Sequence, residues 1–371
     1  MDSSIKFGKL WGIPLTVHLT WFLVFGLMIW SLAGGFFPQE SPGLPIGVVI
    51  AMSLITSVLF FSSVLLHELG HAWVALRNHV PVKEITLFIF GGIAQIEDEP
   101  QSAGAEFFIA SAGPAVSLIL AGIFGLVWLL GRNVLYLDAP ASWLMRVNFL
   151  LAAFNLIPGY PLDGGRLLRA LVWKLTGDKY KATKVATASG QLVAFGFIGF
   201  GVFELIQGYF FDGLWLAFIG WFLQNAASAS QAQSTLQHSL KNVSVHQVMQ
   251  RNFPRVPGLL SVRQLVDEHV LDGGQRYFFV DEEGRLQGMV TLKNISSVPQ
   301  RKWPFVTVSQ VMVPLSKLVS VTSNLELMTA LRTMDEANVA RVPVIERSEV
   351  VGILAREDIL HYIRTRAELG L

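Results

Sequence analysis

Long apolar runs dominate the first two thirds of the chain, near residues 14–35, 46–76, 106–130, 143–162, 186–206 and 212–230. A helix needs about 20 mainly apolar residues to cross a bilayer, where lipid offers no partner for backbone N–H and C=O groups. Charged residues make up only 15% of the chain, against about a quarter in a soluble globular protein. The chain therefore reads as an α-helical polytopic membrane protein with about six transmembrane helices. The second run is long enough to tilt or to extend past the bilayer. The fourth is interrupted by Pro158, Gly159 and Pro161. The first follows Lys6 and Lys9, is too long for a signal-peptide core and lacks a clear small-residue cleavage site, so it is expected to stay as an anchor.

Basic residues set the expected topology. Lys6 and Lys9 precede the first run, Arg77 and Lys83 follow the second, and Arg166, Arg169, Lys174, Lys179, Lys181 and Lys184 follow the fourth. The alternate connections hold almost none: no Lys or Arg in 36–45 or 207–211, and Arg132 in the third, with Arg146 at the next helix start. The positive-inside rule then puts the N-terminus and everything after residue 235 in the cytoplasm, with the cell membrane as the expected location. A net charge of +1 without a basic stripe argues against nucleic acid as a main partner. The absence of cysteine removes disulfides, thiolate metal sites and cysteine nucleophiles together.

Within the second run lies SVLLHELGHAWVAL, Ser63–Leu76. Ionisable side chains at bilayer depth cost about 2.5–3.5 kcal/mol each or more, and so mark function by default. On a helix His67 and His71 are i and i+4, so both imidazoles share a face and can share one metal ion, with Glu68 beside the first. Zinc suits two imidazoles plus a carboxylate and a fourth position left open for water. The strongest candidate third donor is Asp163 in FNLIPGYPLDGGRLLRAL, on the same expected side as His71. It could equally cap the helix that starts at Gly164. Gly164 and Gly165 would let backbone come close to something bulky. Asn155, inside an apolar stretch, could bind substrate backbone or hydrogen-bond another helix. Residues 83–90 are β-prone and Gly91-Gly92 ends the run, which predicts a strand and turn, either a surface hairpin or a re-entrant element lining a cavity.

HELGH at 67–71 together with NLIPGYPLDGG at 155–165 resembles the site-2 protease family of intramembrane zinc metalloproteases, over roughly residues 10–230. The resemblance implies that His67, His71 and Asp163 ligate one zinc ion per chain, that Glu68 is the catalytic base and that Asn155 helps to hold substrate. It implies further that the segment ending in Gly91-Gly92 is the family's membrane-associated β-element, which can align substrate as an added strand. The partners it implies are transmembrane protein substrates within the lipid bilayer. His18, in VHLTW, is either satisfied by a neighbouring helix or placed near the metal.

After residue 235 the composition turns globular and a repeat of about 60 residues appears. Its halves open on VSVHQVM and VTVSQVM and close near Gly288 and Gly352. Each half is expected to give a helix, a short strand, an amphipathic helix and two strands. The pair resembles two cystathionine-β-synthase-type (CBS) modules, about 243–298 and 306–365, in an α/β domain spanning 236–371 behind a protease domain spanning 1–235. Such pairs commonly bind adenine nucleotides and dimerise, which implies a homo-oligomer. The family pattern Gly-x-x-Thr/Ser-x-x-Asp is incomplete in both copies. Thr291 is followed by Asn294 in the Asp position, and Asp358 is preceded by Ala355 in the hydroxyl position. Thr291 and Asp358 are the remaining nucleotide candidates, and a regulatory or oligomerising role is the preferred expectation. The alternatives are a CBS-regulated transporter, for which the paired broken helices of two halves are missing, and an inactive membrane scaffold.

Overall fold

The computed structural model describes residues 4–88, 91–96, 100–282, 284–347 and 349–369. The chain divides into two compact units, Met1–Ser234 and Thr235–Leu371.

The first unit opens on strands β1 (Ser4–Leu10) and β2 (Ile13–His18). Helix α1 (Leu19–Ser31) runs through a π-helical turn into α2 (Phe37–Glu40). Helix α3 (Ile46–Arg77) is followed by β3 (Val82–Phe88) and β4 (Gly91–Ile96). Helices α4 (Ala103–Gly131), α5 (Leu135–Asn155), α6 (Asp163–Thr176), α7 (Lys179–Ile206) and α8 (Phe210–Leu240), the last of which belongs to the second unit from Thr235 on, complete it. Among the described residues, four helical stretches are long and apolar enough to cross a membrane: Leu19–Glu40, Ile46–Arg77, Ala103–Gly131 and Lys179–Ile206. The other two expected spans fall in α5 and α8. The first span begins later than its apolar run, because residues 14–18 belong to β2.

That strand is the main departure from the expected picture. The β-element has four strands in the order β1-β2-β3-β4. β2 lies parallel to β3, with Leu15, Thr16 and Val17 opposite Ile85, Thr86 and Leu87. Side chains alternate between faces along a strand. Ile13 and Ile85 pack with Leu69 and Ala72 of α3, and Val17 and Leu87 with Val64. The sheet thus lies on the helix that carries HELGH. β4 is one edge of the sheet, antiparallel to β3. Ile89 and Phe90, the end of the expected strand, lie outside the described residues.

The second unit runs α9 (Val245–Val248), β5 (Arg255–Pro257), α10 (Val262–Gln264, prolonged by a π-helical stretch), β6 (Tyr277–Glu282), β7 (Arg285–Thr291) and α11 (Leu292–Ser296). The second repeat follows with α12 (Val308–Val311), β8 (Val313–Pro314), α13 (Leu327–Glu336), β9 (Arg341–Glu346), β10 (Glu349–Ala355) and α14 (Arg356–Glu368). The repeats exchange their openings. Val245 of α9 joins the core of Leu327, Met334, Val342 and Val344, whereas Val308 of α12 joins the core of Val262, Leu265, Phe278 and Val290. Gly288 and Gly352 stand within β7 and β10 rather than closing them. A Cβ at Gly288 would meet Sδ of Met312 at 2.9 Å, and one at Gly352 would meet Sδ of Met249 at 3.0 Å. The repeated methionine and glycine are therefore two sides of one exchanged contact.

Candidate metal centre

The helical spacing of His67 and His71 turns both rings to the face of α3 that meets α4, where each is buried. Their Nε2 atoms lie 3.3 Å apart. Asp163, also buried, is the first residue of α6, and its Oδ2 lies 3.3 Å from His67 Nε2 and 3.1 Å from His71 Nε2. Glycine makes this approach possible. A Cβ at Gly164 would overlap the carbonyl oxygens of Leu156 and Ile157, and one at Gly165 would overlap the backbone of Gly159 and Tyr160. Only bare backbone lets α6 start so close to the exit from α5.

The outer nitrogens of the rings are held as firmly. His71 Nδ1 lies 2.7 Å from the carbonyl oxygen of Ile109. A carbonyl only accepts, so the ring proton sits on Nδ1 and Nε2 offers its lone pair. His67 Nδ1 lies 2.9 Å from Ser117 Oγ. Gly113 of α4 stands against both rings, where a Cβ would overlap Nε2 of each. Gly70, the glycine of HELGH, faces the Ala112 carbonyl and Val116. Small residues on each helix thus let α3 and α4 approach closely.

These residues fit a zinc ion. Donor atoms about 2.0–2.1 Å from a tetrahedral ion stand about 3.3–3.4 Å from one another, and two imidazoles plus one carboxylate are a common zinc set with a fourth position open. The three donor separations match that spacing. Among the described residues this is the one group of His, Asp and Glu side chains close enough to hold a metal. Outer partners on both histidines are what ligating imidazoles require.

Glu68 is half-buried and shares with His67, His71, Asp163, Asn155, Gly91 and Gly92 the lining of one cavity of about 900 Å³, walled by Leu23 and Leu27 of α1 and Trp215 and Phe218 of α8. Gly92 lies over Glu68, and a Cβ there would stand 2.5 Å from its Cγ. The structure thus brings together Glu68, the three donors, Asn155 and the two glycines. His18 does not join them. Its Nδ1 accepts from the backbone N–H of Thr20 at the start of α1 and lies 2.9 Å from Thr20 Oγ1, so its own helix, not a neighbouring one, satisfies it. Thr291 and Asp358 lie in the second unit, each engaged at a helix start. Thr291 donates from N and Oγ1 to Asn294 Oδ1, and Asp358 accepts from Ala355 N and Gln250 Nε2.

Sequence reasoning missed Ser117, the Ile109 carbonyl, Gly113 and a buried ionic cluster. Glu106, fully buried at the head of α4, accepts at Oε1 from Arg166 Nε (3.1 Å) and Arg169 Nη2 (2.6 Å). The signal for that cluster was present: an acid entering an apolar run, and two arginines three apart beyond Asp163.

The Peptidase family M50 profile matches residues 55–135 and 133–199, and the CBS domain profile matches 245–300 and 308–365. A Synechocystis sp. protein described as a putative zinc metalloprotease is 34% identical over 376 residues, 99% of this chain and 97% of its own. A zinc metalloprotease of Methanocaldococcus jannaschii is 30% identical over 97% of this chain and 96% of its own. Among solved structures, the site-2 protease from Methanocaldococcus jannaschii is 30% identical, with a TM-score of 0.42, covering 62% of this chain and 95% of that one. The chain belongs to peptidase family M50, the site-2 protease family, and carries two CBS domains at its C-terminus.

Proposed function

We propose that this chain is a zinc metalloendopeptidase that hydrolyses a peptide bond in or near a transmembrane segment of membrane protein substrates. The observation that carries the reading is the buried set His67, His71 and Asp163, with Glu68 beside it in a cavity walled by apolar helices. In this reading the chain crosses the cell membrane six times. The protease domain spans 1–235, and the N-terminus and the CBS domain (236–371) face the cytoplasm.

His67, His71 and Asp163 hold one zinc ion. Zinc bound there supplies a Lewis acid for the scissile carbonyl and lowers the pKa of the attacking water towards neutrality. Glu68 takes the proton of that water and returns it to the leaving nitrogen. Asn155, at the end of α5, hydrogen-bonds the substrate backbone. The edge of β4 at Gly91-Gly92, beside Glu68, pairs with unwound substrate as an added strand. Hydrogen bonds of a helical substrate hide its peptide bonds, so this pairing gives the unwound segment the backbone partners it lost. The CBS pair regulates the protease and joins copies of the chain.

The test compares membrane proteomes of cells carrying the wild type and Glu68→Gln. Single-pass stubs that accumulate only in the mutant, with zinc content unchanged, are the expected outcome. Equal turnover in the two removes Glu68 from the mechanism, and a wild type that turns over no membrane protein removes the protease reading.

A further inference from the structure

Arg166 has no part in the chemistry above, yet it lines the same cavity as Glu68 and the three donors. It stands three residues after Asp163 on α6, on the same face. Of the described residues lining that cavity it alone carries a permanent positive charge. Its Nε is engaged by Glu106 Oε1, and its two Nη groups have no partner among the described residues. The side chain is 18% exposed, whereas that of Glu106 is 0% exposed. Arg169 meets the same Glu106 oxygen from the next turn. The guanidinium is thus held at Nε by a fully buried carboxylate, in a side chain that lines the cavity.

The chemistry of the products says what such donors are for. Peptide hydrolysis adds the water oxygen to the acyl carbon, breaks the C–N bond and leaves a carboxylate and an amine. A carboxylate out of water is costly unless it is paired and hydrogen-bonded. A planar fork of N–H donors is suited to both oxygens of one. Resting on the protease reading, we propose that Arg166 binds the acyl group of the cleaved residue, as a carbonyl in the substrate and as the carboxylate of the N-terminal product. Glu106 and Arg169 are positioning residues that hold its fork.

The test uses the full-length, zinc-loaded protein in detergent with two probes, acetyl-Leu-Leu-Ala-Leu-Leu-Ala as the free acid and as the carboxamide. Calorimetric titration gives the ratio of their affinities, and metal analysis gives zinc content. The wild type is expected to prefer the acid. Arg166→Gln is expected to narrow that preference about tenfold or more with zinc content unchanged, and Arg166→Lys to fall between, since it keeps the charge and loses the fork. Three outcomes overturn the assignment: no acid preference in the wild type, an unchanged ratio in Arg166→Gln, or zinc loss with equal weakening of both probes in both variants. The last would make Arg166 a support for Asp163 only. An active wild type with an unchanged ratio in Arg166→Gln removes this assignment alone. Failure of the Glu68→Gln comparison removes the protease reading beneath it.

Discussion

Ser117 shows how much of the centre depends on residues that would never touch the metal. Its hydroxyl meets His67 Nδ1 at 2.9 Å, and both residues are buried. Ser117→Ala should leave the ring free to turn and the imidazole less basic, and zinc affinity should fall about 10–100-fold. Competition with a chelator on purified protein measures this, and affinity equal to wild type would mean that packing alone orients His67. The two histidines themselves were legible, because helical spacing states their relation outright. Ser117 and Gly113 were not; Glu106 stood out as a charge in an apolar run, but the helix it would meet did not. Each acts across a helix interface on a residue far away in the chain, and nothing in the local pattern of an apolar helix says which serine or glycine faces a neighbour. Asp163 fell between these cases. Its cap-like position left two local readings open, and its expected depth beside His71 and its motif favoured the ligand.

At the scale of elements, β3 showed through as a β-prone run over 83–90 that Gly91-Gly92 ends. β2 did not, because its alternation, Leu15, Val17 and Leu19 against Thr16, His18 and Thr20, is short and merges with the apolar run of α1. The CBS repeat was visible as a repeat, but the exchange of α9 and α12 between halves was not, since openings as alike as VSVHQVM and VTVSQVM carry no label of the core they enter. The helix starts at Thr291 and Ala355 bear on a question the motifs left open. A ribose held at either place would have to take Thr291 from Asn294, or Asp358 from the Ala355 N–H and Gln250. Each helix would lose capping bonds worth about 1 kcal/mol. Titration of ATP, ADP or AMP into the purified protein should therefore give neither heat nor a rise in Tm. A ligand at a hundred times its Kd would stabilise the fold by about 2.7 kcal/mol, so binding would be seen, and a clear rise would mean that the caps open.

For the whole molecule the undecided quantity is how often the chain crosses. Four stretches qualify by length and apolarity, while α5 carries Asp138 and Arg146 and α8 carries a polar second half. An α5 of 21 residues is about 30 Å long at 1.5 Å per residue, enough to span the hydrocarbon. Asp138 lies in its first turn, and Arg146, near its middle, is hydrogen-bonded to the Ser142 carbonyl and hydroxyl one turn earlier. The chain has no cysteine of its own, so single cysteines report without background. The exposed positions Asn133, Thr176, Gln207 and Lys241 stand in or beside the connections that decide the count. With six crossings and a cytoplasmic N-terminus, a membrane-impermeant maleimide on intact cells should label Asn133→Cys and Gln207→Cys. Thr176→Cys and Lys241→Cys should react only after lysis. Were α5 and α6 together to return to the side they left, Thr176 would label with Asn133. Were α8 not to cross, Lys241 would label with Gln207. The same four proteins thus test each doubtful crossing separately.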